Sequence, residues 1–375
     1  MVSGGAGSPP AARRARAVVL AAAIVAGAVA LVVALVVFVV LDDGWTRVIW
    51  TVVGAFLLWQ LVPRPERPSA RAVPVSPESA PGLHALVAEV ASAVAVRGPD
   101  SVAVDTVYAT SLVSVGYLGR ATLVLGLPQW TALDDDERIA VLAHELVCGA
   151  PARRPAGILV RLADDLLTRL VLLLSPTTAV QPHESTREQY DSGLGALGAG
   201  DELAGDRMRR EVATSVGAAG LTVVASPARI LQGALRRAAL AGSTDGCLRA
   251  DRAAAALVGS PTVVGLLLST LPVPRAWVAA EVAARRRVDP FAAMAEAERP
   301  AADELSRRLA TATTTGERVG PGHAGTAARV VALGQPEVVT RGVRPAAVRS
   351  GDHDLDVHRR QLAQRFAEEL IHGRS

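Results

Sequence analysis

The sequence predicts a mainly α protein with a small β-sheet (α+β), set behind an N-terminal transmembrane helical hairpin. Three observations carry this. The run Ala17–Leu41, AVVLAAAIVAGAVALVVALVVFVVL, holds no charge and is long enough to cross a bilayer. Apolar residues recur at helical spacing through most of the chain beyond that run. Only two segments, DSVAVDTV (100–107) and RATLVLG (120–126), join β-branched residues to turn signals at their edges, as short strands do.

Composition narrows the function classes. The chain is 50% hydrophobic, and its 39 basic residues are all arginine, scattered among 36 acids for a net charge of +3. No basic patch interleaved with aromatics is present, so no nucleic-acid partner is expected. Two cysteines, Cys148 and Cys247, exclude a disulfide-rich scaffold.

Residues 1–16 read as a cytoplasmic tail carrying Arg13, Arg14 and Arg16. The apolar core after them is too long for a signal peptide, and no small-x-small cleavage site succeeds it. A second apolar run, Trp45–Val62, comes after the acidic Asp42-Asp43-Gly44 turn; Trp45, Trp50 and Trp59 suit interfacial positions. Residues 17–62 are thus expected to meet the lipid bilayer as a hairpin. Arginines on both outer flanks (Arg64, Arg67 and Arg71 on the far side) place both in the cytoplasm by the positive-inside rule. The expectation is a multi-pass cell-membrane protein with its main domain facing the cytoplasm. Were the second run not to span, that orientation would reverse.

Residues 63–82 are rich in Pro, Ser and Arg and read as a linker. The main domain is expected over 83–335, opening with a helix near 83–96. LDDDERIAVLAHELV reads as a helix with Asp134 as N-cap and Glu137 at capping-box spacing. Ile139, Leu142, Ala143 and Leu146 form its apolar stripe, and Gly149, Pro151 and Pro155 end it. ILVRLADDLLTRLVLLL (158–174) holds Arg161, Asp164, Asp165 and Arg169, which favours an amphipathic or buried helix over a third span. The Gly- and acid-rich stretch 176–206 reads as a mobile surface insertion. Helices are expected near 208–219, 228–241, 246–258, 261–270 and 275–287, with a C-terminal segment, 336–375, ending in the amphipathic LDVHRRQLAQRFAEELI.

The chemistry gathers at HELVC. His144 and Glu145 begin the zinc-peptidase pattern H-E-x-x-H, with Cys148 in place of its last histidine. Residues i and i+4 share a helix face, so His144 and Cys148 can aim a nitrogen and a sulfur at one point, with the Glu145 carboxylate offset beside them. Among 7 histidines and 36 acids, an H-E pair by itself arises easily by chance.

The surrounding pattern is more specific. LDDDERIAVLAHELV resembles the active-site helix of the HtpX-like and CAAX-prenyl-protease-type membrane zinc metallopeptidases, and DSVAVDTVYATSLVSVGYLGRATLVLG resembles the strands that lead to it. CLRADRAAAALVGSP resembles the family's E-x-x-A-D-R-x-A-A-x-L-x-G helix, and HAGTAARVVALG its late H-P-x-x-x-x-R-I-x-x-L segment. The resemblance spans most of residues 83–334 and implies a zincin-like metallopeptidase domain. It makes His144 the first ligand of one zinc ion, Glu145 the general base, and Cys148 and Cys247 occupants of the second and third ligand positions. Asp251 matches the aspartate that orients a ligand. His323 matches a late histidine that helps stabilise the oxyanion, although Ala324 replaces its usual proline. Glu202 is an alternative third ligand, and His183 reads as a solvent-exposed residue.

Three states fit these residues. Zinc can sit among His144, Cys148 and Cys247 with water in the fourth position, as in Cys2His catalytic sites. The cysteines can form a disulfide across a dead site, which a cytoplasmic location disfavours. Both can be small buried residues of a degenerate site. The resemblance implies a metalloendopeptidase acting on a peptide or membrane-protein substrate, with the edge of TLVLG (122–126) as a place for extended peptide. The alternative is an inactive homologue that binds membrane-protein segments without cutting them.

Overall fold

A computed structural model describes residues 10–41, 44–62, 69, 71–116, 119–174, 226–239, 245–269, 274–298, 302–315, 326–334 and 342–372. Both the 176–206 insertion and the helix expected at 208–219 fall outside these. The described chain is mostly helical with one four-stranded sheet, as the α+β expectation requires. It divides into two compact units, Met1–Pro65 with Pro155–Gly242, and Glu66–Arg154 with Ser243–Ser375.

The first unit is all helical: α1 (Pro10–Leu41), α2 (Thr46–Leu61), α6 (Pro155–Leu174) and α7 (226–239). Helix α2 folds back on α1, with Phe38 and Trp50 meeting edge to face at 5.7 Å and Gly54 close against Leu35. Among the described residues only one helix, over Ala15–Leu41, is long and apolar enough to cross a membrane. Helix α2 has 16 residues. At about 1.5 Å per residue it reaches roughly 24 Å, short of the ~30 Å hydrocarbon core.

The domain expected over 83–335 is interrupted, because α6 and α7 belong to this helical unit. The reason is an apolar stripe on α6. Ala163 and Leu167 pack with Ala21, Leu20 and Ile24 of α1 and with Ala228 and Leu235 of α7. Ala21 and Ala163 are both fully buried, and such small residues let helices approach closely. Polar contacts also tie α6 into the unit: Arg236 donates to Asp164, Arg169 to Asp165, and Gln232 donates to the Thr168 hydroxyl. Helix α6 is therefore the amphipathic, packed helix expected.

The second unit is built on a sheet in the order β1-β2-β4-β3. Its strands are β1 (Val73–Val75), β2 (Ser101–Asp105), β3 (Ser111–Val115) and β4 (Arg120–Gly126). Strands β2 and β4 are the two foreseen. β1 lies within the expected linker and pairs antiparallel with β2; its Pro74 is tolerated because an edge strand has one side with no ladder to satisfy. β3 pairs antiparallel with β4, which leaves β4 parallel to β2. The TLVLG segment is consequently an interior strand with partners on both sides, and the expectation that it offers a free edge is overturned.

Helix α3 (Pro81–Ala93) comes after β1, α4 (Leu127–Ala132) after β4, and α5 (Asp135–Gly149) after α4. Then come α8 (245–258), α9 (Ser260–Ser269), α10 (Pro274–Arg285), α11 (Pro290–Glu298), α12 (Ala302–Thr315), α13 (Thr326–Ala332) and α14 (Pro345–His372). The core joins Leu83 and Leu86 of α3, Leu123 and Leu125 of β4, Leu142 and Leu146 of α5, and Phe291 of α11. Helix α14, in the C-terminal segment, is integral to that core. Its Leu355, Leu362 and Phe366 are buried there, Phe366 stacks on Phe291 at 5.4 Å, and Asp354 accepts the Gly82 and Leu83 amides at the start of α3. Those amides are free ends of a helix, and the carboxylate satisfies them.

Candidate metal centre

Helix α5 starts where the sequence says it must. The Asp134 carboxylate accepts the Glu137 amide at 2.8 Å, and Glu137 accepts the Asp134 amide at 3.0 Å, a complete capping box. Ile139, Leu142, Ala143 and Leu146 are buried, which turns the His144–Cys148 face toward α8. The far end of α5 lies hard against β3, since a Cβ on Gly149 would stand 2.7 Å from Leu112. Arg153, in the 3-10 turn Ala150–Arg153, then donates to the Gly119, Arg97 and Gly98 carbonyls and pairs with Asp100 at 2.9 Å.

Two i, i+4 pairs face each other across α5 and α8. His144 Nδ1 is 2.8 Å from Asp251 Oδ1, and Cys148 Sγ is 3.2 Å from Cys247 Sγ. The earlier residue of α5 meets the later residue of α8, and the reverse, so the helices run antiparallel here and the contacts form two rungs one turn apart. Both cysteines are free thiols, Cys247 buried and Cys148 half-buried. The ligand atoms of His144, Cys148 and Cys247 all lie within 4.8 Å of one another. A tetrahedral zinc with bonds of about 2.0–2.3 Å needs its ligands roughly 3.5–3.8 Å apart, so the three fit a single metal ion with small adjustments.

A buried salt bridge supports the histidine. Asp251 is 1% exposed and accepts two hydrogen bonds from Arg329, Nε to Oδ2 and Nη2 to Oδ1, both at 2.7 Å. Arg329 is itself 4% exposed. The 2.8 Å contact with Asp251 holds a proton on His144 Nδ1, so Nε2, once it gives up its own proton, is the nitrogen free to ligate a metal.

The electrostatics keep protons on the candidate ligands, so a metal ion would have to displace them. Burial opposes charge on His144, but the Asp251 and Cys247 hydrogen bonds and the nearby Glu145 carboxylate outweigh it and raise its pKa to about 9. Burial also opposes ionisation of Asp251, yet the Arg329 and His144 contacts hold it down at about 2. Without a metal ion, the Cys247 hydrogen bond, burial and the Glu145 charge push the Cys148 thiol well up. Metal binding releases protons from such ligands.

Of the residues expected at the site, the structure brings together His144, Cys148, Cys247 and Asp251, with Glu145 half-buried beside them and close enough to act electrostatically on both His144 and Cys148. His323, Glu202 and His183 lie outside the described residues. Arg329 was not expected. Its only signal was the arginine of the late segment, AARVV, overshadowed by the histidine six positions earlier.

Asp251→Asn should keep a carbonyl for His144 while removing the charge that polarises the ring. Zinc affinity, measured by competition with a chromogenic chelator, is expected to fall about 10–100-fold; an unchanged affinity would detach Asp251 from the site. The chain matches no protein-family profile, no curated protein and no solved structure.

Proposed function

We propose that the protein is a membrane-anchored zinc metalloendopeptidase, a divergent zincin-like relative of the HtpX and CAAX-prenyl-protease type. The observation that carries this reading is the meeting of His144, Cys148 and Cys247 within 4.8 Å beside Glu145. A bound zinc ion supplies Lewis acidity for activating water and polarising a peptide carbonyl. His144 and the two thiolates hold it, as in Cys2His catalytic sites. Asp251 and Arg329 fix the histidine ring, and Glu145 takes the proton from the attacking water and passes it to the leaving amine. His323 contributes to oxyanion stabilisation in this reading.

The substrate is an extended peptide or membrane-protein segment. Among the described residues no strand pairs with the outer edge of β3, and Leu112 of β3 lies against the end of α5 just after Cys148. A peptide adding to that edge would pass the helix that carries Glu145. In this proposal α1 crosses the bilayer and the shorter α2 returns across it with local thinning of the lipid, which keeps both arginine-rich flanks and the site on the cytoplasmic side.

Two thiolates donate more charge to zinc than the usual His and Glu, which lessens the acidity of the water and favours an inactive, binding homologue as the second reading. Metal analysis of the reduced, detergent-solubilised full chain tests the proposal. Wild type is expected to hold one zinc ion per chain, while Cys148→Ser and Cys247→Ser each lose most of it. Zinc-free wild type would end both the peptidase reading and the metal centre.

A further inference from the structure

We infer that Cys148 and Cys247 are also a redox pair, closing reversibly to a disulfide that excludes the metal ion. The inference rests on the metal centre proposed above and adds its regulation. The two sulfurs stand 3.2 Å apart as free thiols. A disulfide needs about 2.05 Å, so closure takes roughly 1.2 Å of approach. Zinc needs about 3.8 Å between two thiolates, so the observed spacing lies between the two occupancies. They are the chain's only cysteines, so no third thiol of the same chain can divert the pairing.

Their environments differ and assign the order of events. Cys148 is half-buried, whereas Cys247 is 1% exposed. A peroxide therefore reaches Cys148 first. Its sulfur attacks as the thiolate that metal ligation would hold; the O–O bond breaks, hydroxide leaves and is protonated to water, and a sulfenic acid forms. Cys247 then attacks that sulfur; the S–S bond forms, the S–O bond breaks, and a second water leaves. In sum, two thiols and one hydrogen peroxide give one disulfide and two waters, with two electrons passing from sulfur to oxygen. The disulfide sulfurs no longer offer an anionic pair, so only His144 remains and the metal departs. A dithiol reductant reverses the chemistry.

The experiment titrates reduced, zinc-loaded full-length protein in detergent with hydrogen peroxide. It tracks free zinc with a chromogenic chelator and thiols by alkylation and non-reducing peptide mass spectrometry. The expected result is loss of two thiols for each zinc released, an intrachain Cys148–Cys247 peptide, and recovery of both on adding dithiothreitol and zinc. In Cys247→Ser, Cys148 should be trapped as a dimedone-reactive sulfenic acid, while Cys247 in Cys148→Ser should react far more slowly. Zinc that stays bound with both thiols free, a disulfide between chains, or irreversible sulfinic acid would overturn the redox pair and leave the metal centre standing. Reduced protein that holds no zinc but still closes the disulfide reversibly would support the pair and overturn the metal centre.

Discussion

Replacing Arg329 with leucine is expected to cost the second unit about 3 kcal/mol, because it takes a two-bond guanidinium partner from a buried carboxylate and leaves it only the His144 contact. Asp251 is 1% exposed, and both of its oxygens accept from Arg329 at 2.7 Å. Water cannot replace the guanidinium at a position so enclosed. Denaturant unfolding of the solubilised full chain should show the loss directly. The double variant Arg329→Leu/Asp251→Leu removes both charges and should recover much of the stability, since a buried ion pair and a well-packed apolar pair are often similar in free energy. It should not recover zinc affinity, because the histidine has lost its acceptor. A single variant as stable as wild type would show that the pair is not buried as described.

Glu145→Gln is expected to lower peptide cleavage by about 10²–10⁴-fold while leaving the zinc content unchanged, as removal of a general base does. Glutamine keeps the shape and a hydrogen-bonding carbonyl but cannot take a proton. The readout is mass spectrometry of an unstructured peptide mixture incubated with wild type and variant, beside metal analysis of both. Cleavage equal in the two proteins would remove Glu145 from catalysis. Zinc-bound wild type that cleaves nothing would favour the binding homologue.

Much of the site was legible in sequence because its parts lie in short local patterns. Asp134 and Glu137 announce the start of α5, and its stripe of Ile139, Leu142 and Leu146 fixes which face turns inward. That in turn orients His144 and Cys148. The encounter with Cys247 and Asp251 is long-range, and it was reached through a resemblance that no outside match supports. Arg329 stayed hidden for a plain reason. The chain has 39 basic residues, every one an arginine, and beyond its place in the late-segment pattern nothing local marks Arg329 as buried.

The fold shows the same division. β2 and β4 are runs of buried β-branched and apolar residues and were foreseen, whereas β3 is a half-exposed edge strand and β1 contains a proline. Such strands carry little pattern of their own and are defined by their partners. In sequence α14 is an amphipathic segment that could be tail or core, and only the structure shows Leu355, Leu362 and Phe366 inserted in the core with residues such as Leu83 and Leu86. The switch of α6 into the N-terminal unit likewise depends on its match to Ala21 of α1, which no local window contains.

X-ray absorption at the zinc edge of the reduced full-length protein reads the ligand set of the metal centre itself. Two sulfur neighbours at about 2.3 Å and nitrogen or oxygen neighbours at about 2.0–2.1 Å are expected, with one sulfur lost in either cysteine-to-serine variant. A spectrum fitted by nitrogen and oxygen alone, or zinc retained with both sulfurs in Cys247→Ser, would contradict that ligand set.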